Sequence, residues 1–167
     1  MTLKTFKKIF DKLPKTLTQV AFGIGDCAAN PDIWKIMKFC RLNGVVPNIT
    51  INGSKMISEL YDNLADNCGA VAISLYDYDT CYNTVRELTN RGKTQINIHC
   101  LLSQETYYKC LQVIMDRMTD PRLSKLNAIV FLWLKPKGER NTLHPITDMA
   151  QYKKLVNLAL DNNVSIG

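Results

Sequence analysis

The segment FGIGDCAANPDI, residues 22–33, carries two glycines, Gly23 and Gly25, followed at once by the carboxylate of Asp26. Glycine lets the backbone approach a ligand closely, and a carboxylate binds an ammonium group. The segment lacks the third glycine of a dinucleotide fingerprint, and no phosphate-loop lysine follows it. A second source of chemistry is alternation, because side chains two apart in a strand share a face. In QINIHCLL, residues 95–102, Gln95, Asn97 and His99 share one face, with Ile96, Ile98 and Cys100 on the other. In NITING, Thr50 and Asn52 alternate with Ile49 and Ile51; in AVAISL, Ala72 and Ser74 alternate with Val71, Ile73 and Leu75. Three segments thus present a polar face. Any one of these polar residues is explained by a hydrogen bond to a neighbour in a sheet. The set points to a ligand, because an unpaired buried polar group costs about 1–3 kcal/mol.

The six cysteines, Cys27, Cys40, Cys68, Cys81, Cys100 and Cys110, are too widely spaced for a metal-binding knuckle. Cys40 and Cys110 continue apolar helical stripes and Cys100 alternates with isoleucines, so they read as small buried hydrophobes in a reducing compartment, with neither zinc nor disulfides expected. Cys27 lies in a loop, where a reactive thiol competes with a packing role. His144 and Arg140, beside Lys135 and Lys137, read either as solvated loop residues or as a site for an anion. Trp34 is expected at a helix surface or interface, and Trp133 near a strand end.

Positioning these groups requires a regular scaffold. Apolar residues recur at i, i+3, i+4 and i+7 in Phe6, Ile9, Phe10 and Leu13, in Ile33, Ile36, Met37 and Cys40, and in Ile57, Leu60, Tyr61 and Leu64. The pattern returns in Tyr107, Cys110, Leu111 and Ile114, and in Tyr152, Leu155, Val156 and Ala159, while Cys81, Val85 and Leu88 mark a helix over 79–91. Between these six helices lie predicted strands at 19–25, 48–52, 70–75, 95–102 and 128–135, with another starting at 164–167. Gly44 and Gly92 follow helix ends, and Ser103 and Asp148 are positioned as N-caps. Strict alternation predicts right-handed βα units around a parallel sheet, barrel or doubly wound. Helices then cover the apolar side, and the polar face becomes the lumen.

Five segments in order, FGIGDCAANPDI, VPNITING, VAISLYDYD, QINIHCLLS and IVFLWLKPKGERN, resemble the second to sixth strands of the radical S-adenosylmethionine superfamily. Gly25 and Asp26 match the end of the family's glycine-glycine-glutamate segment, with aspartate for glutamate, Ile24 for a glycine and Cys27 for a proline. Asn30, Pro31 and Asp32 match the tripeptide that follows it. Asn52 and Gly53 match a Thr-Asn-Gly turn. The resemblance implies an α/β fold, a partial, open parallel βα barrel missing its first strand. It implies S-adenosylmethionine held by Gly23, Gly25, Asp26, Asn52, Ser74, Asn97 and His99. Asp26 would meet the methionine ammonium, Ser74 the ribose or the methionine carboxylate, and Asn97 and His99 the nucleoside or substrate, with adenine near Leu132 to Leu134. LKPKGERN resembles the sixth-strand end of peptide-modifying members, so the unknown substrate would be a peptide. The family also uses a 4Fe-4S cluster on a CxxxCxxC loop after its first strand. That loop is absent here, so its ligands would come from a missing N-terminal segment or a second chain.

The 167 residues fit a single domain, 1–167, whose first helix spans 2–13; 46% are hydrophobic and 22% charged, a globular mixture. No stretch is apolar enough for a membrane span or a signal peptide, and a cytoplasmic protein is expected. The net charge is +6, concentrated in the lysines of the first helix. That helix reads as a solvated face or as a contact for phosphates or an acidic partner. No interleaving of aromatic and basic residues accompanies it, which argues against nucleic acid. Three functions follow. The first is a radical S-adenosylmethionine enzyme core, which cleaves the cofactor to a 5′-deoxyadenosyl radical. The second is a catalytically inactive, nucleoside-binding remnant. The third is an unrelated barrel for a phosphorylated metabolite, which the lack of a late glycine-rich loop opposes. A missing first strand would leave the strand near Val20 at a sheet edge and the first helix poorly covered, favouring self-association.

Overall fold

A computed structural model describes residues 1–138 and 141–167. Each strand of a single parallel sheet lies beside the next in sequence, in the order β1 (Gln19–Gly23), β2 (Val46–Ile51), β3 (Val71–Ser74), β4 (Ile96–Leu102) and β5 (Ala128–Trp133). The expected sixth strand appears as one bridge, Ile129 to Ile166, supported by Gly167 donating to the Ile129 carbonyl at 3.0 Å. The sheet does not close, and among the described residues β1 pairs only with β2.

Consecutive right-handed crossovers in one direction put the connecting helices on the same side, and the helix before β1 packs beside the first of them. The helices are α1 (Leu3–Phe10), α2 (Ile33–Leu42), α3 (Ser58–Asn67), α4 (Tyr78–Asn90), α5 (Tyr107–Thr119) and α6 (Met149–Asp161). Their boundaries follow local chemistry. Asp77 caps α4 by accepting from the Thr80 amide at 2.8 Å, and Asp148 caps α6 through the Ala150 amide at 2.8 Å. Gly44 and Gly92 leave α2 and α4 at φ +73° and +79°, a region that costs other residues energy. Ser103 is not the N-cap of α5 as expected. The helix starts after Thr106, and the Ser103 hydroxyl accepts from the Thr106 amide at 3.2 Å in the turn before it.

Ile49, Ile51, Ile73, Ile96, Ile98, Cys100, Leu102 and Ile129 all point to the helix side and are at most 2% exposed. Helix stripes meet them, although Ile57 and Tyr152 end up exposed rather than in the core. Trp34 packs partly buried against the core, and Trp133 meets Tyr152 edge-on with ring centres 5.6 Å apart. The first helix is not poorly covered. Phe6 is buried in an aromatic group with Phe10, Phe22 and Phe39, and the Leu3 amide donates to Asp32 Oδ2 at 3.0 Å. Its lysines remain on the outside, one of them, Lys7, over the Phe39 ring. No helix among the described residues is long and apolar enough to cross a membrane.

Gly69, entering β3, donates to the Pro47 carbonyl at 2.8 Å, and a Cβ there would lie 2.2 Å from Val46 Cγ1 and 2.7 Å from Asn48 Oδ1. Gly69→Ala must therefore displace the Val46 and Asn48 side chains of β2, at an overpacking cost of about 1–3 kcal/mol. Thermal unfolding should show a midpoint lowered by about 2–4 °C per kcal/mol. An unchanged midpoint would mean that the β2–β3 approach is looser than described.

Candidate functional site

The strand face without helices carries the polar residues. Cross-strand register arranges them in rows: Gly23, Thr50, Ala72, Asn97 and Ala128 form one, and Ser74, His99 and Val130 lie in the next, towards the strand C-termini. Asn52, one residue past the Ile51 to Ile73 pair, joins the second row beside Ser74. Glycine and alanine hold three of the five places in the first row, so the face is a shallow floor rather than the branched aliphatic filling of a packed barrel. Leu101 and Leu132, paired and exposed, make its β4–β5 corner apolar, while Leu134 is buried.

A cleft of about 240 Å³ lies over this floor, lined by Gly23, Gly25, Thr50, Asn52, Ser74 and Tyr76 among others. Gly25, expected within the first strand, lies beyond its end, although the Ile24 amide still donates to the Thr50 carbonyl at 3.0 Å. Asn52 is held by its neighbours. Its Oδ1 accepts from the Ser54 amide and the Ser54 hydroxyl, both at 2.9 Å, so its amide nitrogen is left to face Gly25. The turn depends on Gly53, at φ +74°, where a Cβ would lie 2.8 Å from Thr84 Oγ1.

Asp26 follows Gly25, which lines the cleft, but is not itself a lining residue. One carboxylate oxygen caps a 3-10 turn, Cys27–Ala29, accepting from the Ala28 amide at 2.9 Å; the other lies 3.6 Å from the ammonium of Lys55. That lysine side chain is 80% exposed, so solvent screens the pair and the ammonium is free to leave. Asn97 and His99 face the open side, as alternation predicts. Asn97 Oδ1 accepts from Asn127 at 2.8 Å, and partial burial pushes the His99 pKa below the ordinary 6.5, favouring the neutral ring. No buried side-chain nitrogen or oxygen among the described residues lacks a partner. The polar atoms of this face are therefore paired or reach solvent, and the cost of unpaired buried groups expected from the sequence does not arise.

Cys27 lies behind this surface, 2% exposed, and burial with the nearby Asp26 charge pushes its thiol up to about 11. It is a packing residue, not a reactive one. Among the described residues, the anion site suggested around His144 contains a carboxylate, that of Glu105. His144 Nδ1 lies 2.7 Å from Glu105 Oε1 and its amide 3.0 Å from Oε2, while Arg140 lies outside the described residues. Together with Gln104, whose amide donates to the His144 carbonyl at 2.9 Å, Glu105 clamps the β5–α6 connection to the end of β4.

The His144 ring and amide hold the Glu105 carboxyl down to about 2. A depressed carboxyl adds stability above its ordinary value of 4.5 that is lost as pH falls towards 2. Wild type should therefore melt above Glu105→Gln at neutral pH, with the difference shrinking across that acid window. A difference independent of pH would show that the clamp does not depend on the carboxylate charge.

No family model matches the chain, and no curated protein matches it in sequence. Among solved structures, the chain is similar in fold to Streptococcus suis SuiB. The TM-score is 0.70 at 12% identity, over 89% of this chain and 38% of that one. The structure of SuiB bound to S-adenosylmethionine gives 0.72 at 14% identity, over 89% and 39%. At such identity the likeness is one of fold, and this chain spans well under half the length of SuiB.

Proposed function

We propose that the chain binds S-adenosylmethionine on the open face, and that its sheet is a partial parallel βα barrel of the radical S-adenosylmethionine type. The observation that carries this reading is the cleft itself, in a chain similar in fold to part of SuiB, a protein whose structure is known bound to S-adenosylmethionine. The residues present fit that ligand. Asp26 already faces an ammonium, that of Lys55, and a methionine ammonium replaces it without a change of charge. Gly23 and Gly25 leave room for close approach, Asn52 offers an amide donor, and Ser74 offers a hydroxyl. Neutral His99 keeps positive charge away from a sulfonium. The apolar corner at Leu101 and Leu132 suits the flat face of adenine.

The residues present do not fit a 4Fe-4S cluster. No group of three or more His, Cys, Asp or Glu side chains among the described residues is placed to hold a metal, and all six cysteines are buried and none lines the cleft. In this reading, therefore, the chain's own work is binding and orienting the cofactor, and the cluster and any radical step belong to protein outside it. An inactive nucleoside-binding chain makes the same contacts.

Calorimetric titration with S-adenosylmethionine tests the reading. Binding is expected at the cleft, and Asp26→Ala should weaken it by about 1.5–3 kcal/mol, as for a hydrogen bond to a charged group. Heat without any effect of Asp26→Ala would remove the ammonium assignment, and absence of binding at millimolar ligand would remove the reading.

A further inference from the structure

The helix-side core holds a second kind of chemistry, unrelated to the cleft. Cys100 points from β4 into the core between Ile98 and Leu102, and Cys110 points back from the first turn of α5. Both are 0% exposed, and their sulfurs are 3.1 Å apart. Among the described residues no other two cysteine sulfurs come within hydrogen-bonding reach; Cys68, for example, meets the Met37 sulfur instead, at 3.6 Å. The helix end that carries Cys110 is tied to the end of β4, where the Thr106 hydroxyl accepts from the Ser103 amide at 3.0 Å. Thr106 makes no side-chain cap, because its hydroxyl donates to the Leu101 carbonyl, which Cys110 Sγ also approaches at 3.5 Å.

We propose that Cys100 and Cys110 are a modification site, a thiol pair that closes to a reversible disulfide when the chain meets a two-electron oxidant of the peroxide class. A disulfide needs sulfurs about 2.05 Å apart, so the two must approach by about 1 Å, a movement within reach of a first helical turn. The hydrogen bond to Cys100 and burial push the Cys110 thiol up, so reaction requires a transient opening of the core around the pair. On opening, one thiolate attacks the peroxide: a sulfur–oxygen bond forms, the oxygen–oxygen bond breaks and hydroxide leaves. The second thiol then attacks that sulfur, forming the sulfur–sulfur bond and releasing the oxygen as water. In sum, two thiols lose two protons and two electrons, and one peroxide becomes two waters. The bond ties the residue next to His99 to the helix behind it.

The test uses the folded wild-type chain, treated with limiting hydrogen peroxide, then denatured, alkylated and cut with trypsin. Cleavage after Lys93, Lys109 and Arg117 separates the two cysteines into peptides 94–109 and 110–117. The expected result is those two peptides joined with the loss of two hydrogens, the other four cysteines alkylated, and the link reversed by dithiothreitol. Full alkylation of both Cys100 and Cys110, or either of them linked to Cys81 instead, would overturn the proposal.

Discussion

Tryptophan in place of Ser74 is expected to abolish S-adenosylmethionine binding while leaving the fold intact. Ser74 stands at the C-terminal end of β3, half-buried, beside His99 in the register and against the cleft of about 240 Å³. An indole there occupies the floor between Asn52 and His99, the space that the ligand needs. Because the face is open, the added ring has solvent to turn into and does not overpack the core. Ser74→Ala, which removes only a hydroxyl, should cost about 0.5–1.5 kcal/mol. The tryptophan variant should lose more than tenfold in affinity, beyond about 1.4 kcal/mol. Titration alongside circular dichroism separates the outcomes: native spectra with undiminished binding would move the ligand off this face.

Ile98→Ala should have the largest effect on stability. Ile98 is fully buried at the middle of the sheet, paired with Ile73 on one side and Ile129 on the other. Truncating such a side chain costs about 2–5 kcal/mol through lost transfer energy and the cavity left behind. That is a large share of the 5–15 kcal/mol that typically separates folded from unfolded chains. Its neighbour His99, on the opposite face, should tolerate alanine with little change in a urea midpoint. The pair therefore tests register directly, since a slip of one residue exchanges the faces. A costly His99→Ala beside a harmless Ile98→Ala would invert the assignment of the open face.

Alternation within a strand is a local signal, which is why the facing of Asn97 and His99 was legible from QINIHCLL alone. Helix stripes were legible for the same reason, and so were Gly44 and Gly92, whose backbone role depends only on the residue itself. What depends on distant pairing was not. Nothing in the sequence joins Glu105 to His144, 39 positions apart, and the pair makes His144 part of a clamp between two connections. Lys55 as the partner of Asp26 was hidden in the same way, because it requires the turn at Gly53 to bring it round. Cys100 and Cys110 each read correctly as buried, but a stripe and an alternation say only which way a side chain points, not what it meets. The cover over α1 was missed because Phe22 and Phe39 belong to two other elements.

The strictly sequential strand order has a consequence for how the molecule responds to perturbation. Among the described residues each of the five strands pairs only with its neighbours in sequence, apart from the bridge of β5 to Ile166, so the sheet behaves as a short one-dimensional array in which stability passes from neighbour to neighbour. Outer units of such an array open more readily than inner ones. The glycines come from or just after the outermost strand, whereas Asn52, Ser74, Asn97 and His99 lie on or beside the three inner ones. A ligand that touches both sets bridges the weakest member to the strongest. Occupancy would then act as a clasp on the fraying end, and the free energy of binding would appear as order at β1.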